Sequence, residues 1–114
     1  MVDRAAMERA HEIFDPIAAD HLARPDVDIG PMFGTEGLRV RGKVYAFVEH
    51  QGGLIAKVPQ SRADALCADG TALRMVMRER EMREWVTVTP SAGADTWRSL
   101  IDEAHDFVDR LTPR

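Results

Sequence analysis

The side chains able to do chemistry are few. Four histidines, His11, His21, His50 and His105, and one cysteine, Cys67, are the residues that could serve as metal ligand, nucleophile or proton shuttle near neutral pH. A zinc protease needs two histidines one helical turn apart, and a structural zinc site needs cysteines in CxxC pairs. Neither spacing occurs. His105 has Asp106 beside it and Glu103 close by, a set with some affinity for a cation, but these positions fall off the apolar stripe of their helix and read as solvated. The histidines are therefore expected on the surface, on helices or turns. Cys67 has no histidine at a recognisable spacing to act as its base and reads as a small buried hydrophobe.

Two further groups fail the same test. Gly34, Gly37, Gly42, Gly52, Gly53 and Gly70 fit neither GxxxxGK[ST] nor a strand-turn-helix GxGxxG, because strand-like runs follow them. They read as turn glycines. Glu79, Glu81 and Glu84 interleave with Arg78, Arg80 and Arg83, a mixed run that screens itself instead of raising a carboxyl pKa for acid–base work. No catalytic, cofactor-binding or metal-binding residue is assigned, no cofactor is expected, and the chain reads as a non-enzyme.

Binding is the remaining chemistry, and it depends on which side chains share a sheet face. Leu38–Arg41, Val44–His50 and Leu54–Val58 read as three strands broken at Gly42 and Gly52-Gly53. Two-residue loops there place Leu38, Val40, Tyr45, Phe47, Leu54, Ala56 and Val58 together, facing helices. The opposite face then carries Arg39, Arg41, Val44, Ala46, Val48, Ile55 and Lys57, a small apolar centre rimmed by cations. This is the candidate partner face. A solvated sheet face and a phosphate-tracking surface, with Arg74 and Arg78 added, compete with that reading. The apolar centre favours a protein partner or a homodimer. Nucleic acid is disfavoured because Tyr45 and Phe47 are expected inside, leaving no stacking platform.

The elements that position this face follow from patterning. Asp3 caps a helix bearing Met7, Ala10, Phe14 and Ile17, with a kink or break expected near Asp15 because of Pro16, a further turn to Leu22 and an end at Arg24-Pro25. Asp26–Pro31 reads as a linker. A short helix over Arg62–Ala68, capped by Ser61, carries Leu66 and Cys67 as buried residues. Leu73–Met77 is a strand, Arg78–Arg83 a charged loop and Trp85–Thr89 the last strand. Asp95–Leu111 is a helix with Trp97, Leu100, Ile101, Ala104, Phe107, Val108 and Leu111 on one stripe. The result is a single domain over residues 1–114: α+β, two layers, an antiparallel sheet in α-β-β-β-α-β-β-α order with helices on one face.

Bulk properties agree. At 114 residues and 45% hydrophobic content the chain can bury one modest core. The net charge of −4 disfavours a general nucleic-acid binder. No run is long enough to span a bilayer, no secretory leader is visible, and a single cysteine suits a reducing cytoplasm.

Met32-Phe33-Gly34, Gly37-Leu38, the run Gly42 to Val48, Leu54 with Lys57-Val58, Arg62, Gly70 and the run Met82 to Val88 together resemble the TfoX (Sxy) N-terminal domain family. The resemblance implies a fold similar to type III secretion chaperones and kinship with regulators of natural competence. It implies a stand-alone, single-domain member, a bacterial regulator acting through protein contacts, with no catalytic residue to carry over.

Overall fold

The computed structural model describes residues 3–32 and 34–114. Phe33, quoted above with Met32 and Gly34, lies outside the described residues. Asp3 starts the first helix by accepting the Ala6 amide at 3.0 Å, as a short acidic cap should. Helix α1 (Arg4–His21) then buries Ala6, Ala10, Phe14, Ile17 and Ala18 on one side. It continues through Pro16 as one helix, so of the kink or break expected there the break does not occur. Pro16 sits on the exposed side, so the carbonyl that loses its helical donor can turn to water.

Six strands follow, interrupted by one short helix: β1 (Val27–Met32), β2 (Thr35–Val40), β3 (Lys43–Val48), β4 (Leu54–Lys57), then α2 (Gln60–Ala68), β5 (Leu73–Met77) and β6 (Arg80–Val88). A 3-10 turn at Pro90–Ala92 leads into α3 (Ala94–Leu111). The strands form one antiparallel sheet in the order β1-β2-β3-β4-β6-β5. All three helices pack on one face, so the architecture is the two-layer α+β domain expected. Two local expectations fail. The segment read as a linker is β1, paired along its length with β2. The stretch read as a charged loop is mostly strand, because the turn is only Arg78-Glu79, both at positive φ, and β6 begins at Arg80.

The core lies between sheet and helices. Helix α3 contributes Trp97, Leu100, Ile101, Ala104 and Val108, and the Trp97 indole N–H donates to the Thr89 carbonyl at 2.9 Å. The sheet contributes Leu38, Val40, Tyr45, Ala46, Val48, Leu54, Ala56, Val58, Val86 and Val88.

That list corrects the expected faces. Pairing between β2 and β3 steps from Leu38↔Ala46 to Arg39↔Val44, so Tyr45 is an extra residue in a β-bulge. The bulge lets neighbours Tyr45 and Ala46 both turn toward the helices. Beyond it the alternation is inverted: Val48 faces the helices, and Phe47, paired with Gly37 and Ile55, faces away. Ala46 and Val48 are therefore withdrawn from the candidate partner face, and Phe47 joins it.

Arg41 leaves that face as well. It sits in the β2–β3 turn with φ 48° ahead of Gly42 at 83°, the geometry of a type I′ hairpin. Its guanidinium reaches the end of α3, donating to the Asp109 carbonyl at 2.9 Å, the Thr112 carbonyl at 2.8 Å and the Asp109 carboxylate at 2.8 Å. Those carbonyls lie at the end of the helix, where backbone acceptors run short of donors, so Arg41 closes the C-terminus of α3.

Candidate functional site

Two constellations stand out, one on the open side of the sheet and one between the layers. On the open side, Met32, Phe47, Met75, Met77, Met82 and Trp85 line a cavity of about 210 Å³. Met32 belongs to β1 and Met75 to β5, the two outermost strands. Six strands laid flat would separate the outer pair by about 24 Å. A cavity that both strands line therefore requires the sheet to curl around its open face. A second irregularity helps: between the Arg74↔Val86 and Val76↔Glu81 pairs, Met75 alone on β5 faces the four residues Met82–Trp85 of β6. This irregularity lets both Met82 and Trp85 line the cavity.

Phe47 forms the floor, 4% exposed, with its ring edge-on to Trp85 at 6.2 Å between centroids. Lys57 holds its ammonium 5.8 Å from the centre of the Trp85 ring. A second cavity of about 390 Å³ adjoins it, lined by Met77, Arg78, Arg80 and Met82.

Of the residues expected on the partner face, the structure brings Arg39, Val44, Ile55 and Lys57 to the open side through their pairings with Phe47, Trp85 and each other. Arg39 is not available as a free cation. Its side chain lies across Gly30 and grips Asp28 with two hydrogen bonds, 2.9 and 2.6 Å, which holds the Asp28 carboxyl below its usual range. Arg74 lies on the helix side, bonded to Asp64 of α2 and to the Arg83 carbonyl. The residues that sequence reasoning missed are Phe47, Trp85 and the methionines. A signal was present: four of the six methionines in the chain line one cavity.

The second constellation corrects the view of the histidines as surface residues. His21, at the end of α1, is 1% exposed. Its Nδ1 lies 2.7 Å from the Tyr45 hydroxyl and its Nε2 2.8 Å from Asp102 of α3. Arg24 donates to the same Asp102 oxygen at 2.9 Å. A carboxylate beside a guanidinium is ionised and accepts only, so Nε2 carries the proton and Nδ1 accepts from Tyr45. Burial lowers the His21 pKa, opposed by the Asp102 hydrogen bond, and burial raises that of Tyr45. His105 packs edge-on against both rings and is only partly exposed. The order Asp102–His21–Tyr45 is that of a charge-relay triad, but the Tyr45 hydroxyl is sealed in the core and no substrate atom can reach it. The network joins α1, β3 and α3.

Among the described residues no group of three or more histidine, cysteine or acidic side chains is placed to hold a metal ion. No described helix is long and apolar enough to cross a membrane.

The family model that matches is YjbR, over residues 22–107. The span begins just after His21, takes in every strand, and ends within α3. It overturns the resemblance to the TfoX N-terminal domain, and the secretion-chaperone and competence-regulator expectations fall with it. The motifs quoted for that resemblance fall on short glycine turns and strand segments. No curated protein and no solved structure matches the chain. The chain belongs to the YjbR family.

Proposed function

We propose that this YjbR-family chain is a non-enzymatic protein-interaction domain, and that a partner docks on the curled open face of its sheet. One observation carries the reading: a cavity of about 210 Å³ whose walls are four methionines, Phe47 and Trp85. A site built for turnover brings polar groups together in its pocket, and this one does not. Methionine is unbranched and polarisable, so a methionine-walled socket adapts to whichever apolar side chain enters. Burying one leucine or phenylalanine there would contribute roughly 1.5–3 kcal/mol. Two such anchors on an amphipathic helix give a reversible, regulatory affinity after the cost of association. Arg78, Arg80 and Lys57 at the rim suit acidic residues flanking the anchors. A lone cysteine fits work in a reducing compartment such as the cytoplasm.

The test is site-specific photo-crosslinking in cells. A photoreactive residue at Met82 is expected to give a discrete protein adduct that Phe47→Asp abolishes. The same residue placed at Arg9, on the exposed side of α1, gives none. Equal labelling from both positions would overturn the reading.

A second reading gains one observation. Trp85 lies partly exposed on the open face with Lys57 over the indole, which supplies one aromatic platform and one cation of the kind that single-strand binders use. Retention on single-stranded DNA that falls steeply with salt, and is lost in Trp85→Ala, would favour nucleic acid over protein.

A further inference from the structure

The two edges of the sheet are not alike. On β1, Pro31 removes a backbone donor and the Asp28–Arg39 pair lies across the strand, both devices that stop edge-to-edge pairing. On β5, Leu73–Met77 contains no proline, and its one charged side chain, Arg74, is turned inward to Asp64 and the Arg83 carbonyl. Leu73 is 73% exposed and Val76 60% exposed. Because Met77 and Arg80 close a two-residue turn, their backbone groups bond each other, and alternation aims the N–H and C=O of Arg74 and Val76 out of the sheet.

We propose that this edge pairs with the same edge of a second copy of the chain, antiparallel and centred on Met75, to make a two-fold dimer with one continuous sheet. A two-fold axis normal to the sheet allows few registers. Centring on Arg74 sets Arg74 against its own copy, and centring on Val76 sets Arg74 against Arg78. Centring on Met75 pairs Arg74 with Val76 of the second copy, so the outward donors and acceptors meet. It also leaves Leu73 against Met77 and places no like charges opposite each other. The occupant is a second copy because this strand is complementary to itself in hydrogen bonding and, in this register, sets no charge against its like. In that arrangement Met75 and Met77 of each copy bring the two open-face cavities side by side. The proposal does not depend on what those cavities bind.

Sedimentation equilibrium reads it directly. Wild type is expected to be dimeric. Val76→Pro removes an N–H that alternation aims away from β6, so it should keep its circular dichroism and melting temperature while weakening the dimer about 10- to 100-fold. In a Cys67→Ser background, Met75→Cys should oxidise to a covalent dimer, because the two-fold pair there is about 4.5 Å apart between Cα atoms. Leu73→Cys should not, since its copy lies roughly 13 Å along the strand. A wild type that stays monomeric up to ~1 mM would overturn the proposal. So would a Val76→Pro variant that sediments as wild type, or equal cross-linking from both cysteine positions.

Discussion

Tyr45 and Phe47, two residues apart on β3, point to opposite faces of the sheet: Tyr45 bonds His21 among the helices, and Phe47 packs edge-on against Trp85 on the open side. Regular alternation would put them together. The bulge between them separates the layers chemically as well as sterically. Tyr45 closes a polar network that pins α1 and α3 to β3. Phe47 becomes the floor of an apolar cavity. One extra residue thus gives a strand that is buried on both sides.

The two rings should respond differently to truncation. Tyr45→Phe removes the donor to His21 Nδ1 and leaves a buried acceptor unpaired, which should cost about 1–3 kcal/mol. Phe47→Ala empties the cavity floor and should cost about 3 kcal/mol. Urea unfolding measures both. Only Phe47→Ala should also lose the crosslinked partner, and loss in both variants would mean that the partner reads the overall fold instead of the cavity.

Much of the fold was legible, and the illegible parts have common causes. The stripe from Trp97 to Val108 and the glycine breaks at Gly42 and Gly52-Gly53 give α3 and the central meander, because burial on one face writes a period into the sequence. The bulges write no such period. Nothing in Lys43-Val44-Tyr45-Ala46-Phe47-Val48 says that Tyr45 is unpaired, so four of the expected face residues could be placed and Ala46, Val48 and Arg41 could not. His21 was missed because its partners, Tyr45 and Asp102, are 24 and 81 residues away.

His21 should make the fold sensitive to mild acid. It faces Tyr45, Asp102, Arg24 and His105, and burial holds its pKa below the value of the unfolded chain. A base with a lowered folded pKa binds more protons when unfolded. Its contribution is therefore complete above about pH 6.5 and is lost as the pH falls below that, at up to ~1.4 kcal/mol per pH unit. The carboxylates of Asp28 and Asp109, held low by Arg39 and Arg41, act only at more acidic pH. Urea midpoints between pH 5 and 8 should show this upper limb, and His21→Gln should flatten it by keeping a donor and an acceptor that do not titrate.

Gly52 and Gly42 both have positive φ, 90° and 83°, but their surroundings differ. A Cβ on Gly42 would meet nothing within 4 Å, so Gly42→Ala should cost only the left-handed strain of about 1–2 kcal/mol. A Cβ on Gly52 would sit 2.7 Å from the Ala6 carbonyl oxygen. Gly52→Ala must therefore also push the first turn of α1 off the β3–β4 loop, and should cost ~3 kcal/mol or more. Hydrogen exchange should quicken at the N-terminus of α1 in Gly52→Ala and not in Gly42→Ala.

The β5–β6 turn is built from residues that do not favour its geometry. A type I′ turn needs positive φ at both central residues and favours Asn-Gly, yet here Arg78 and Glu79 take φ values of 53° and 64°. Neither residue signals a turn, which is why the stretch reads as a loop. Left-handed backbone at two ordinary residues stores strain, so replacing the pair by Asn-Gly should raise stability by about 1–2 kcal/mol. The same change removes Arg78 from the rim of the cavity that it lines with Met77 and Met82. Thermal melts should therefore rise while the photo-crosslink from Met82 weakens. A stabilised variant with undiminished crosslinking would show that the rim arginine does not contact the partner.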